Sequence, residues 1–146
     1  MTREEILKAI KPYFSIEELV CDHVLSRFGE RAWDFLDTDL LHTILVIRRD
    51  IIKLPMWCNS KTAHQRGLRC NLCQLVKTSK VPYLTAHIQG KAVDLTITGM
   101  TAEAAREKIK ANAGLLPVPI RLERGVSWLH IDTRNYTNQK VYEFTA

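Results

Sequence analysis

The sequence predicts an α+β domain in which an antiparallel β-sheet is flanked by helices. Three observations carry this. Helical periodicity dominates the chain before Pro55, and strand-type alternation recurs after Lys91. The length, 146 residues, is that of one domain (1–146) with enough chain to enclose a substantial core.

Each element has its own signal. Residues 2–11 carry a weak helical pattern that Pro12 interrupts. Ser15-Ile16-Glu17-Glu18 has capping-box spacing, so a helix starts at Ser15 with Leu19, Val20 and Val24 on its buried side, and Gly29 ends it. Arg31 to Leu36 reads as a short helical turn that sets Trp33 and Phe35 against the core. Asp37 or Thr38 caps the segment from Asp39 to Lys53. Its Leu41, Ile44, Leu45, Ile47, Ile51 and Ile52 cover a wide face, which makes it the central helix for the sheet to pack on. Pro55 stops this helix, and Met56 to Asn59 reads as a short strand. Periodicity is lost from Ser60 to Tyr83, and a loop of that length is usually functional or disordered. A strand over 91–98 follows, then a helix capped by Thr101, running to about Asn112 and ended at Gly114. Ile120 to Glu123 and Val126 to Asp132 alternate around a turn at Arg124-Gly125 and, with Lys140 to Phe144, complete a β-meander.

Composition narrows the function. No run of eighteen apolar residues exists, so no membrane-spanning helix is expected. The opening Met1-Thr2-Arg3-Glu4-Glu5 has no signal-peptide character, so we expect synthesis in a cytoplasm. The net charge is +5, and no acidic residue stands between Asp50 and Asp94, where Lys53, Lys61, Arg66, Arg69, Lys77, Lys80 and Lys91 fall. Such a one-signed segment attracts anions, either nucleic acid or a carboxylate-bearing wall polymer. Of the cysteines, Cys70 and Cys73 have the C-x-x-C spacing that suits zinc, and Cys21 and Cys58 could complete a four-thiolate site if the fold gathered them. Free thiols in a reducing compartment are the simpler expectation. An ordinary surface or core role is expected for His23 and a helix-surface role for His42, while His64 is either on the loop surface or in contact with substrate.

The stretch from Thr85 to Asp94 carries the chemistry. It sets His87 and Asp94 seven residues apart across Gly90, which allows a tight turn before the strand. His130, the one histidine of the last third, falls on a strand of the same expected sheet. Two imidazoles and one carboxylate suit Zn2+ and leave it a position for water. A site of that kind brings the pKa of bound water to about 7 and polarises a carbonyl, which is what amide hydrolysis requires.

Thr85-x-His87-x-x-Gly90-x-Ala92-x-Asp94, followed by Trp128-x-His130-x-Asp132, resembles the zinc D-Ala-D-Ala carboxypeptidase and L,D-endopeptidase family. That family cleaves peptidoglycan stem peptides and shares its fold with the amino-terminal signalling domain of hedgehog proteins. The resemblance runs from about Phe14 to Arg134. The composition also looks like that of phage- and gut-bacterium-borne members, with Gln65 to Cys73 in place of the usual Ser-Gly-Tyr-Arg segment. The resemblance implies that His87, Asp94 and His130 hold zinc. It also implies that Arg69 binds substrate and steadies the oxyanion, with Arg66 as the reserve, and that Thr85 supplies the hydroxyl of the more usual Ser. One departure matters. The family carries an acidic general base a few residues before its last His, and here Ser127 stands three before His130. Glu123 is the first choice for that base, with Asp132 the other candidate or a residue that orients a ligand or an arginine.

The leading expectation is therefore a monomeric zinc peptidase that acts on peptidoglycan peptides after release to the wall. A second reading, motivated by Ser127, is a catalytically silent zinc module that binds the wall. A third, a nucleic-acid-binding domain with a cysteine zinc site, leaves the His and Asp spacing unexplained; it requires steeply salt-dependent affinity, and absence of binding at low salt would end it. We expect no nucleic-acid partner.

Overall fold

Thr2 and Glu5 open the first helix by exchanging hydrogen bonds across its first turn, Thr2 N to Glu5 Oε2 at 2.7 Å and Glu5 N to Thr2 Oγ1 at 3.2 Å. The computed structural model describes residues 1–146. In chain order its elements begin with α1 (Arg3–Ile10), α2 (Ile16–Leu19), α3 (Asp22–Phe28), a 3-10 segment (Gly29–Phe35) and α4 (Thr38–Val46), which continues as a π-helical turn (Ile47–Ile52). There follow β1 (Met56–Trp57), α5 (Gln74–Lys77), β2 (Ala92–Ile97), α6 (Ala102–Ala111), β3 (Ile120–Glu123), β4 (Leu129–Asp132) and β5 (Val141–Phe144). Asp37 and Thr101 cap α4 and α6 as the sequence indicates, accepting from Leu40 N and Ala104 N, each at 3.1 Å.

The helix expected from Ser15 to Gly29 is broken in two. Its start is as read, with Ser15 N donating to the Glu18 carboxylate at 3.0 Å. Val20, however, is extended and bridges Leu68, with Leu68 N donating to Leu19 O at 2.9 Å and Cys21 N to Leu68 O at 3.1 Å. The long loop thus forms a short seam with the helical region. Gly67 makes the seam possible, because a Cβ there would lie 2.1 Å from the Leu19 carbonyl oxygen. The central helix also departs from the expectation. Its last turns widen to the π form and end at Lys53, left-handed at φ 61°.

The five strands form one open sheet in the order β1-β2-β4-β3-β5. The first three neighbouring pairs are antiparallel, but β5 pairs parallel with β3, so the expected meander and all-antiparallel sheet are corrected. The reason is positional: β5 crosses back to the free edge of β3 instead of turning onto β4, whose two edges β2 and β3 already occupy. Alternation then divides the sheet's faces. Val93, Leu95, Ile120, Leu122, Leu129 and Ile131 enter the core with the apolar faces of α1, α4 and α6, while Asp94, Arg121, Glu123, His130 and Asp132 face the other way. No helix of the protein is long and apolar enough to cross a membrane.

Gly90 fixes the turn ahead of β2. Its φ is +69°, and a Cβ would lie 2.1 Å from the Phe35 carbonyl oxygen, while its own carbonyl accepts from Asp37 N at 2.9 Å. Gly90→Ala is expected to destabilise the fold by about 1–3 kcal/mol through strain and collision together. A denaturant midpoint equal to wild type would show that the turn can move aside.

Candidate metal centre

Two local structures bring the ligand residues together. In the turn over 85–90, Ile88 N donates to Thr85 O, Gln89 N to Ala86 O and Gly90 N to His87 O at 3.2–3.3 Å, which turns the buried His87 side chain toward β2. In the sheet, β2 and β4 pair so that Asp94 stands opposite His130. The result is a buried cluster of His87, Asp94 and His130 whose ligand atoms lie within 4.8 Å of one another.

Each ring is held from behind on one nitrogen and turns the other toward Asp94. His87 Nδ1 donates to Gly67 O at 2.9 Å, leaving Nε2 3.3 Å from Asp94 Oδ2. His130 Nε2 donates to Asp132 Oδ2 at 2.7 Å, leaving Nδ1 2.7 Å from Asp94 Oδ1. Asp132 is itself held by Arg121 Nε at 2.8 Å and Arg134 N at 3.0 Å. Each imidazole is thus backed by an acceptor on its far nitrogen, the arrangement that orients metal-binding histidines.

The donor set fits a divalent ion. Tetrahedral zinc with bonds of 2.0–2.1 Å separates its N and O ligands by about 3.3 Å, the spacing between His87 and Asp94. The shorter His130–Asp94 contact is a hydrogen bond, so in the metal-free chain a proton joins them, and metal binding must release it. Burial disfavours charge on Asp94, Asp132 and His130, but the hydrogen bonds prevail. Those from His130 and His87 hold Asp94 well below the usual carboxylate range, and those from His130 and Arg121 hold Asp132 low. For His130 burial lowers the pKa, and the bonds to Asp132 and Asp94 push it up to about 9.

The centre lies in a cleft of about 720 Å³ that Arg69, Tyr83, Thr85, Glu123, Trp128 and Phe144 also line. Arg69 is fixed in three directions, with Nε on Gln65 O at 2.6 Å, Nη1 on Tyr83 Oη at 2.5 Å and Nη2 3.8 Å from Asp94 Oδ2. Glu123 lies on β3 beside the ligand strand. The pairs Arg121↔Asp132 and Leu122↔Ile131, continued by one residue, set Glu123 across from His130 on the cleft face. Thr85 is exposed at the rim.

Two candidates have other tasks. Arg66 lies outside the cleft, donating to Thr96 Oγ1 at 2.9 Å and Cys58 O at 3.2 Å with its guanidinium over the Trp57 ring. The Asp132 carboxylate is fully buried and receives three donors, so it has no free oxygen to act as a base. Ser127 lines a different cavity with Leu95 and Arg106, so an acidic side chain there would not face the ligands.

The sequence reading did not single out Tyr83, Arg121 or Phe144. Phe144 packs its ring edge-on to His130 at 5.6 Å and under the Arg121 guanidinium at 4.6 Å. Alternation from Glu123 and Asp132 could have flagged Arg121; nothing in the sequence marks the other two.

The cysteines are also redistributed. Cys58 is buried alone, whereas Cys21, Cys70 and Cys73 gather with His23, so the four-thiolate set is corrected to three thiols and an imidazole. All four cysteines are free. No family profile, curated protein or solved structure matches this chain.

Proposed function

We propose that this chain is a zinc peptidase that hydrolyses peptide bonds in peptidoglycan stem peptides, with the zinc ligands of the D-Ala-D-Ala carboxypeptidase and L,D-endopeptidase family. The observation that carries the reading is the convergence of His87, Asp94 and His130 in a cleft that also presents Arg69 and Glu123. Zinc held by two imidazoles and one carboxylate supplies a Lewis acid and a water acidified to a pKa of about 7.

The chain's own groups do the rest. Gly67 O and Asp132 hold the two rings in the tautomers that ligation needs. Arg69, braced by Gln65 and Tyr83, presents a fixed fork to a substrate carboxylate or to the negative oxygen of the tetrahedral intermediate. Glu123, directly across from His130, takes the proton from the attacking water and returns it to the leaving amine. Arg121 and Arg134 add positive charge to the cleft, which suits the anionic stem peptide.

Arg69→Lys tests the arginine. A lysine keeps the charge but not the fork, and kcat is expected to fall about 10²–10³-fold with the zinc content unchanged. Unchanged kcat in this variant removes Arg69 from the mechanism. The whole reading is tested by cleavage of synthetic muropeptides with and without chelator. Several muropeptides left intact by zinc-loaded protein would count against hydrolysis.

One observation favours a second reading, a silent wall-binding module: position 127 lacks the family's acid and faces another cavity. That module would bind zinc and muropeptide without turnover. Ser127→Glu is not expected to change activity in either case.

A further inference from the structure

The break between α2 and α3 puts Cys21 and His23 against the C-x-x-C of the long loop, 47 to 52 residues away in sequence. His23 Nδ1 lies 3.6 Å from Cys70 Sγ and 3.9 Å from Cys73 Sγ, and the four potential ligand atoms lie within 4.8 Å of one another. Tetrahedral zinc, with Zn–S of 2.3 Å and Zn–N of 2.0–2.1 Å, sets sulfur and nitrogen ligands about 3.6 Å apart and two sulfurs about 3.8 Å apart. The two distances from His23 are close to the first of these values, and the sulfurs lie near enough for one ion to draw them in.

Backbone N–H groups point at two of the sulfurs. Leu72 N points at Cys70 Sγ and Cys70 N at Cys73 Sγ, both at 3.4 Å, as backbone donors do around metal-bound sulfur. Lys61 and Lys77 line the cavity beside Cys21, His23 and Cys73, as do Glu17, Glu18 and Asp22, and no acidic side chain is among the four ligand residues. Cys73 is fixed by the turn that starts α5, its carbonyl accepting from Val76 N at 3.0 Å and Lys77 N at 2.9 Å. Cys21 is fixed by its bond to Leu68 O.

We propose that Cys21, His23, Cys70 and Cys73 form a second zinc site, closed by four protein ligands and therefore structural rather than catalytic. Its role follows from where the ligands sit. Residues 60–83 contain one short helix, and their one ladder contact with the rest of the fold is the bridge from Leu68 to Val20. Gly67, which orients His87, and Arg69, which faces Asp94, lie immediately before Cys70. The second ion fastens this segment to α3 and so positions both groups at the first centre. The proposal concerns metal content and does not depend on the peptidase reading.

Cobalt titration of the reduced wild-type chain tests it, because a His2Asp centre has no sulfur ligand. Thiolate-to-cobalt charge-transfer absorption is expected, reaching its limit within the two equivalents that the two sites take up. It should be lost in Cys70→Ser and retained in Cys58→Ser and His87→Ala. Zinc analysis should find two equivalents in wild type and one in Cys70→Ser. Absence of the charge-transfer band in wild type overturns the proposal, as does a band that Cys58→Ser abolishes. For the positioning role, proteolysis within residues 60–83 should accelerate in Cys70→Ser and not in His87→Ala. Equal rates in Cys70→Ser and wild type would overturn that role. The wild-type spectrum decides the metal site even where a variant fails to fold.

Discussion

A His130→Ala chain is expected to lose the metal held with His87 and Asp94, to lose muropeptide cleavage, and to be less stable when metal-free by about 3–5 kcal/mol. The stability effect arises because His130 is the donor between two buried carboxylates, Asp94 on one side and Asp132 on the other, at 2.7 Å each. Removing the ring leaves a buried carboxylate oxygen on each without its partner. Zinc analysis and chemical denaturation in chelator check the two losses, and full metal occupancy at this centre in the variant would refute the ligand assignment. The pH dependence carries its own sign. In the metal-free chain His130 is raised from an ordinary 6.5 to about 9, so its contribution is complete below about pH 6.5 and is lost as pH rises through about 9. Asp94 and Asp132 are held low, so their contributions are present above the ordinary carboxylate range and are lost as pH falls below it. Metal-free wild type should therefore weaken between about pH 6.5 and pH 9.5, and His130→Ala should not.

The features that were legible in the sequence are the local ones. A two-residue period places His130 and Asp132 on one face of β4 and leaves Leu129 and Ile131 for the core, whatever the strand pairs with. Capping residues gave the starts of α4 and α6 for the same reason. What could not be read is long-range. The extended backbone at Val20 exists because Leu68, 48 residues on, offers a ladder, and the helix-type pattern around Val20 has no trace of it. The parallel pairing of β5 with β3, which brings Phe144 onto His130, depends on which sheet edge is free. In the sequence only the resemblance to a Gly-Tyr-Arg segment ranks Arg69 above Arg66. The separation arises when Gly67 packs on Leu19 and the two guanidiniums fall on different sides of the loop backbone, one toward Trp57 and one toward Asp94.

The same geometry separates the two acidic candidates that the sequence left together. Glu123→Gln should keep its zinc and lower kcat about 10²–10⁴-fold, the usual contribution of a general acid–base group. Asp132→Asn should weaken zinc binding about 10–100-fold, because it disturbs the acceptor that fixes the His130 tautomer. Its activity should recover at saturating zinc, whereas that of Glu123→Gln should not. The distinction rests on free valence. Three donors already occupy the Asp132 carboxylate, while the Glu123 side chain opens onto the cleft from the strand position next to His130. The decisive comparison is kcat at saturating zinc for the two variants. A Glu123→Gln chain as active as wild type would leave the cleft without a carboxylate base and would turn the balance toward a protein that binds the wall and does not cut it.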